Sequence, residues 1–487
     1  MATDVLKKAG EYNLEQVELI SYRNHGEEGG VITMDIKPIT IQVELLEDLS
    51  QHFLSGAVTV YDTQDVRTVL PITGLEQLKL KFNTPGMPGY AFNETDGVPF
   101  QVYKIENVKI DDSFNRGQFY KIYFTSPEAY YNDITRVSQA FEGVIEDAID
   151  KLLRQKNFLN SKKHLYFEPT KSNTKNVIPN LKPIDVIDFL AKQARSSLYA
   201  NTGYMFYETA QGFNFRSLES MLAIGGAKAR PSRWSFYHQL ANIQPDNVVM
   251  QMNTVKRYEI HNPVDMDETI NTGAYASRLI TVDHFNKKVS TNDFDYSANF
   301  HKSFHTEHNN GDRSDNKMML PLHKFGDTNK DLSQMPMSKL MVHSDTAKKH
   351  DNYDDIPQTD LVQSQNSQKT MLMQNNIVML VNGNTMLRCG DIVDFNMPLM
   401  RPVLDKKEEV NPYHAGRYLI KSIKHTISIE AGKHDMVLHC MKDSVATPLP
   451  IETNAVQLTP KDRSTASTVY QEDEAILARL SDSMGST

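Results

Sequence analysis

The feature that most constrains this chain is a period of two that keeps returning. Ile39, Ile41, Val43 and Leu45 alternate with Thr40, Gln42 and Glu44, and Leu78, Leu80 and Phe82 alternate with Lys79 and Lys81. Successive side chains of an extended backbone point to opposite faces, so each run is a strand with one apolar face and one wet face. Ile32, Met34 and Ile36 repeat the pattern, and Val58 and Val60 lead into Asp62. Thr84-Pro85-Gly86 is a turn signal, and Phe100–Ile110 and Phe119–Phe124 are two further strands joined through Asp111–Gly117. Short strands with half-apolar faces must cover one another, as a barrel or a sandwich. Residues 1–126 are therefore expected to form one β domain.

The period then changes. Phe141, Val144, Ile145, Ala148, Ile149, Leu152 and Leu153 recur at helical spacing, with Ser138 placed to cap. A second helix is expected over Pro183–Ala194, with proline in its first turn and Ile184, Ile187, Leu190, Ala191 and Ala194 as its stripe. These helices make 127–198 a small helical domain. Sheet returns as a hairpin, Tyr204–Tyr207 and Phe213–Phe215, turning at Gly212. Residues 256–370 read as a mixed, polar insertion, and His301–Thr370 as a long surface excursion. Strands resume at Ile377–Val381, turn through Asn382-Gly383-Asn384, and continue through Gly390–Phe395, Tyr418–Ile420, Ile423–Ile429 and Met436–Cys440. The segments 199–255 and 371–446 are each too short in strands to bury a face, so together they are expected to close a second, discontinuous β domain. Residues 447–487 form a polar tail with a short helix near Tyr470–Met484. The fold class is α+β, mainly β.

Charge and cysteine usage narrow the function. Fifty-two basic against 61 acidic residues give a net charge of −9, which argues against a dedicated grip on duplex DNA. Two cysteines, Cys389 and Cys440, exclude a disulfide scaffold and read as reduced core thiols. A mean hydropathy of −0.48 and the lack of a long apolar run exclude a transmembrane helix, and the N-terminus has no apolar signal core. The expectation is a soluble protein made in a cytoplasm.

Catalytic signatures are missing. Gly225-Gly226-Ala227-Lys228 fails the phosphate-loop spacing, and neither G-x-S-x-G nor G-x-G-x-x-G occurs. His301, His305 and His308 lie at i, i+4 and i+7, with Glu307 adjacent, but match no zinc motif and read as a solvated histidine run. Asp327, Asn329 and Asp331 open like a calcium loop, yet Leu332 and Ser338 stand where glycine and glutamate are required. No catalytic, cofactor or metal residue is assigned.

Several segments, in order over residues 30–445, resemble the central baseplate hub protein of contractile-tailed bacteriophages, and also the hub portion of type VI secretion spike proteins. Leu54–Asp62 and Leu70–Glu76 resemble the family's first barrel, and Pro183–Ala191 its helical linker. Tyr204–Thr209 with Gly212–Glu219 is similar to the opening of its second barrel. Gly273–Leu279, Asp283 and Phe294–Tyr296 resemble its inserted region, and Asn382–Asn384, Gly390-Asp391, Gly416–Ile420 and His425 its closing strands. The resemblance implies two tube-like antiparallel β-barrels per chain and a homotrimer forming a pseudo-sixfold ring. That ring would join the tail tube protein to a trimeric central spike among neighbouring baseplate proteins, in a virion assembled in the host cytoplasm. DNA would be passing cargo, no membrane would be entered, and no cofactor or catalysis is implied. The alternatives are a tail-associated cell-wall-degrading enzyme and the hub of a type VI secretion or pyocin-like particle.

Overall fold

A computed structural model describes residues 5–22, 31–70, 72–95, 97–110, 117–171, 174–199, 203–224, 228–238, 247–261, 265–283, 287–307, 317–318, 324–325, 330–335, 339–344, 359–398 and 410–445. They belong to one compact unit, Met1–Thr447; a second unit, Pro448–Thr487, lies outside the described residues, and with it the expected terminal helix.

Eight strands open the chain: β1 (Asn13–Ser21), β2 (Ile32–Asp35), β3 (Thr40–Asp48), β4 (Ser55–Asp62), β5 (Gln77–Asn83), β6 (Tyr90–Phe92), β7 (Phe100–Ile110) and β8 (Gln118–Thr125). Seven run in the order β2-β1-β5-β7-β8-β4-β3, all antiparallel, and β6 pairs with β5. The inward residues of the alternating runs share one core: Val17, Val43, Val58, Leu78, Leu80, Phe82, Phe100, Ile122 and Phe124 are all buried in it. β1 joins the edge strand β2 to β5, yet its sequence shows no clean alternation. A bulge between Leu14 and Gln16 breaks the period.

Next come α1 (Pro127–Ile134), β9 (Ala140–Gly143), α2 (Ile145–Arg154), β10 (Leu165–Phe167), β11 (Thr174–Val177), α3 (Pro183–Gln193), β12 (Tyr204–Thr209) and β13 (Gly212–Ser217). α3 matches its expected span. α2 starts later than expected: Val144 is its N-cap, with no side-chain cap, so Ser138 does not cap it. Phe141 lies instead on β9, paired with β11. It stands four residues before Ile145, which mimics one more helical turn. The hairpin β12–β13 forms, but it does not enter a barrel ladder. It makes a three-stranded sheet with β10, and Phe206, Phe213 and Phe215 pack with Ile149, Leu152, Ile187 and Leu190. Its other face reaches a different core through Tyr207.

The remaining named elements are β14 (Trp234–His238), β15 (Thr254–His261), β16 (Ala276–Asp283), β17 (Lys288–Asp295), β18 (Leu340–Ser344), α4 (Thr359–Gln374), β19 (Asn375–Asn382), β20 (Ile392–Asn396), β21 (Gly416–Ser428) and β22 (Lys433–Lys442). Six of them close a barrel in the order β21-β20-β14-β15-β19-β22 and back to β21. Both joints of β14 are parallel, to β20 and to β15; the other four are antiparallel. Phe236, Val255, Ile377, Met379, Val393, Phe395, Leu419 and Leu438 fill it. The described residues are thus mainly β, with one closed six-stranded barrel and further strands.

Three expectations change here. β15 carries barrel pairing on to His261, past the expected boundary at 255. Asn382-Gly383-Asn384 is not a hairpin loop, because β19 and β20 do not pair. Gly383 is required by crowding instead: a Cβ there would collide with the His434 ring. The 301–370 region is not simply a surface excursion. Gln363, Ser367, Gln368 and Met371 of α4 are buried, as are Phe304, His305 and Thr306.

Candidate functional site

The element that organises the molecule is β21. Its first four residues pair with β20 (Gly416↔Phe395 to Leu419↔Ile392), and Ser422–Ser428 pair along the same edge with β3 (Asp48–Gln42). The opposite edge pairs with β22 from Leu419 onward. One strand of 13 residues, about 43 Å long at ~3.3 Å per residue, therefore belongs to the closed barrel and to the first sheet together. The sequence divides it into two runs because a bulge between Ile420 and Ser422 resets the alternation.

Beside this shared ladder runs a buried polar seam. Tyr90 Oη lies 2.8 Å from His425 Nε2, and His425 Nδ1 lies 3.1 Å from His434 Nε2. One proton arrangement satisfies the chain with both rings neutral. His434 Nε2–H donates to His425 Nδ1, His425 Nε2–H to Tyr90 Oη, and Tyr90 O–H to the Leu387 carbonyl at 3.4 Å. Burial, with each ring facing the other's charge or a nearby cation, pushes His425 well below the ordinary imidazole value and His434 down to about 4. The Arg388 guanidinium sits 4.2 Å from the Tyr90 ring centre and donates to the carbonyls of Thr385 and Leu387. Thr84 and Thr385 exchange backbone-to-hydroxyl bonds at 3.1 and 3.3 Å, and Glu47 accepts from the Ala210 and Cys389 amides. Residues of the first sheet and of the closed barrel thus complete one network.

A second buried set ties the helical region to the first sheet. Lys163 Nζ lies 2.7 Å from Glu128 and 2.6 Å from Glu208, whose other oxygen accepts the Leu54 amide at 3.0 Å. All three side chains are buried, so the charges are supported by each other rather than by water.

The two described members of the histidine run lie in different settings. His301 is exposed on a short 3-10 turn, and His308 lies outside the described residues. His305 is buried, which overturns the solvated reading at that position. Its Nδ1 is 2.8 Å from Asp443 Oδ2, its Nε2 donates to the Phe300 carbonyl at 2.8 Å, and its ring stacks on Phe300. With both ring nitrogens held and a carboxylate beside it, His305 has its pKa raised; it clasps a loop and has no free nitrogen to act as a base. Asp443 also accepts from the Thr306 amide and hydroxyl, and Lys442 Nζ bonds Glu307 at 2.7 Å. The Phe300–Glu307 stretch is thereby stitched over the ends of β21 and β22. Gly416, with φ +119°, lets Glu307 approach where a Cβ would collide. Asp443 is 138 residues from His305, so no local pattern could have paired them.

Asp331 accepts from the amide and hydroxyl of Ser333, capping its own turn; Asp327 and Asn329 lie outside the described residues. Cys389 and Cys440 are buried free thiols, both pushed up by burial. Among the described residues no group of three or more His, Cys, Asp or Glu is placed to hold a metal, and no helix is long and apolar enough to cross a membrane.

No protein-family model matches this sequence, and no curated protein matches it. Among solved structures, the chain is similar to a tail protein from Neisseria meningitidis MC58, at 9% identity over 88% of this chain and 97% of that one, with a TM-score of 0.47. It is also similar to the 43 kDa tail protein of prophage MuSo2 from Shewanella oneidensis, at 8% identity over 88% and 98% of the two chains, with a TM-score of 0.47. A third is the E. coli c3393 protein, a component of the type VI secretion system, at 7% identity over 85% and 76%, with a TM-score of 0.38. At these values the likeness transfers no residue role.

Proposed function

We propose that this chain is a structural hub of a contractile-tail-type particle, and that three copies form a pseudo-sixfold ring between a tail tube and a trimeric central spike. The observation that carries the reading is β21. By sharing one strand, the first sheet and the closed barrel are held in fixed register, side by side in a single chain. Three chains carrying two such β units each would supply six tube-wall positions, and a head-to-tail threefold contact closes when its rotation does. In this reading, 1–126 and the segments 199–255 plus 371–446 are the two tube-like barrels. The 127–198 region is the connector, 256–370 the insertion and 447–487 a tail. A net charge of −9 suits a channel that DNA crosses without adhering. The role is structural, within a virion tail assembled in the host cytoplasm.

The test is the mass of the purified chain by light scattering, alone and with candidate spike protein, followed by negative-stain imaging. The reading expects a mass of three chains and a ring with a central channel. A monomer that persists with every candidate spike, without rings in the images, would overturn it.

A further inference from the structure

Where the β12–β13 hairpin meets the closed barrel, a cavity of about 390 Å³ is lined by four arginines, Arg216, Arg230, Arg233 and Arg388, and by one carboxylate, Asp391. Each has a traceable position. Arg216 projects from β13, and Arg230 and Arg233 lie on the approach to β14. Arg388 and Asp391 lie on the loop before β20.

The charges do not cancel. Asp391 accepts the Arg388 amide at 3.0 Å and lies 3.6 Å from Arg233 Nε, so it is already committed. Arg388 packs on the Tyr90 ring and gives Nη1 to two carbonyls, with its Nε unpartnered among the described residues. Arg216 and Arg230 remain. Both donate Nη2 to one acceptor, the Ser220 carbonyl, at 2.9 Å each. Two guanidiniums converge on a single neutral oxygen, and among the described residues neither has a carboxylate within ion-pair distance. Arg230 Nε is buried and has no partner among the described residues. A guanidinium offers five N–H donors in a planar fork, and such forks match oxyanions. Burial and the neighbouring Arg216 charge also lower the Arg230 pKa, with Asp391 acting against them.

We propose that this cavity is an oxyanion-binding site, with Arg216 and Arg230 as its paired ligands and Arg233 at its side. Phosphate and carboxylate share the required chemistry. The first would come from a free phosphorylated small molecule or inorganic phosphate, the second from an acidic peptide segment. The site is independent of the proposed hub role.

The experiment is calorimetric titration of the full chain with inorganic phosphate, and separately with a short glutamate-rich peptide. Thermal unfolding is followed in parallel, with sodium chloride at matched ionic strength as the control. The proposal expects saturable binding of at least one of the two, with a rise in unfolding temperature that chloride does not reproduce. Stronger binding of phosphate assigns the small anion, and stronger binding of the peptide assigns the carboxylate source. Arg216→Gln and Arg230→Gln should each weaken binding at least tenfold, while Arg257→Gln, on the exposed side of β15, should not. Arg216→Lys, which keeps the charge and loses the fork, should bind more weakly than wild type at an unchanged anion-free unfolding temperature. The proposal fails if neither ligand binds, if chloride gives the same shift, or if the Arg216 and Arg230 variants bind like wild type.

Discussion

Residues that carry charge or titrate inside this protein have few alternatives to the partners they hold. His434 shows the sign of the effect. Its folded value of about 4 lies below the ordinary 6.5, so the unfolded chain takes up the proton first. Above pH 6.5 it is neutral in both states and contributes no pH dependence. Between pH 6.5 and 4, stability should fall as pH falls, by on the order of 3 kcal/mol. Burial depresses it most, Lys256 adds to the depression and Asp435 opposes it; His425, depressed by burial, His434 and Arg388, acts in the same direction. Urea unfolding across this window should give a clearly flatter profile for His434→Gln than for wild type; parallel profiles would mean the ring does not stay neutral. His305 has the opposite sign: its raised pKa makes its pairing with Asp443 complete at acid pH, and that stabilisation is lost as pH rises through the folded value. Lys163 is a simpler case. Lys163→Met leaves Glu128 and Glu208 buried together, and denaturant titration should show a loss of roughly 3–5 kcal/mol. A midpoint within error of wild type would show that water reaches those carboxylates. Such partners are invisible in the sequence, because Lys163 and Glu208 are 45 positions apart and His305 and Asp443 lie 138 apart.

Elements were legible wherever their period was unbroken. The β5 and β8 runs read directly, because alternation is a local property that neighbours in the chain already display. β1 shows no clean alternation and β21 reads as two runs because each carries a bulge, and a single extra residue moves every later side chain to the other face. The helical period of α2 reads back past its true start because Phe141 on β9 falls at a helical interval from Ile145. The β5 reading yields a direct test. Leu80 is fully buried opposite Val17 and Phe92. Leu80→Asp places an unpaired carboxylate in the first core at a cost of several kcal/mol, roughly. Expression should shift to the insoluble fraction; a soluble variant with wild-type unfolding would mean that this face of β5 is not the inner one.

At the scale of the whole molecule, the topology was only partly legible. Two regions of strand separated by a different period can be counted along the chain. The barrel's closure could not be read, since it rests on parallel joints between β14 and both β15 and β20, which no turn signal announces. The candidate cavity was hidden for the same reason: Arg216, Arg230 and Asp391 become neighbours only after the hairpin docks on the barrel.

The shared strand also sets a schedule for biosynthesis. β3 is complete once Asp48 has been made, but the strand that covers its outer edge pairs Asp48 with Ser422, 374 residues later. At roughly 5–20 residues per second, translation of that interval takes about 20–75 seconds. Throughout it, β3 presents a row of unpaired amides and carbonyls, the kind of edge that recruits other strands. The nascent chain therefore has a long interval of vulnerability early in synthesis, and β21 ends it from the far end of the described fold. Crowding of ribosomes on one message, or a pause between the two regions, would lengthen the time for which the β3 edge stays open.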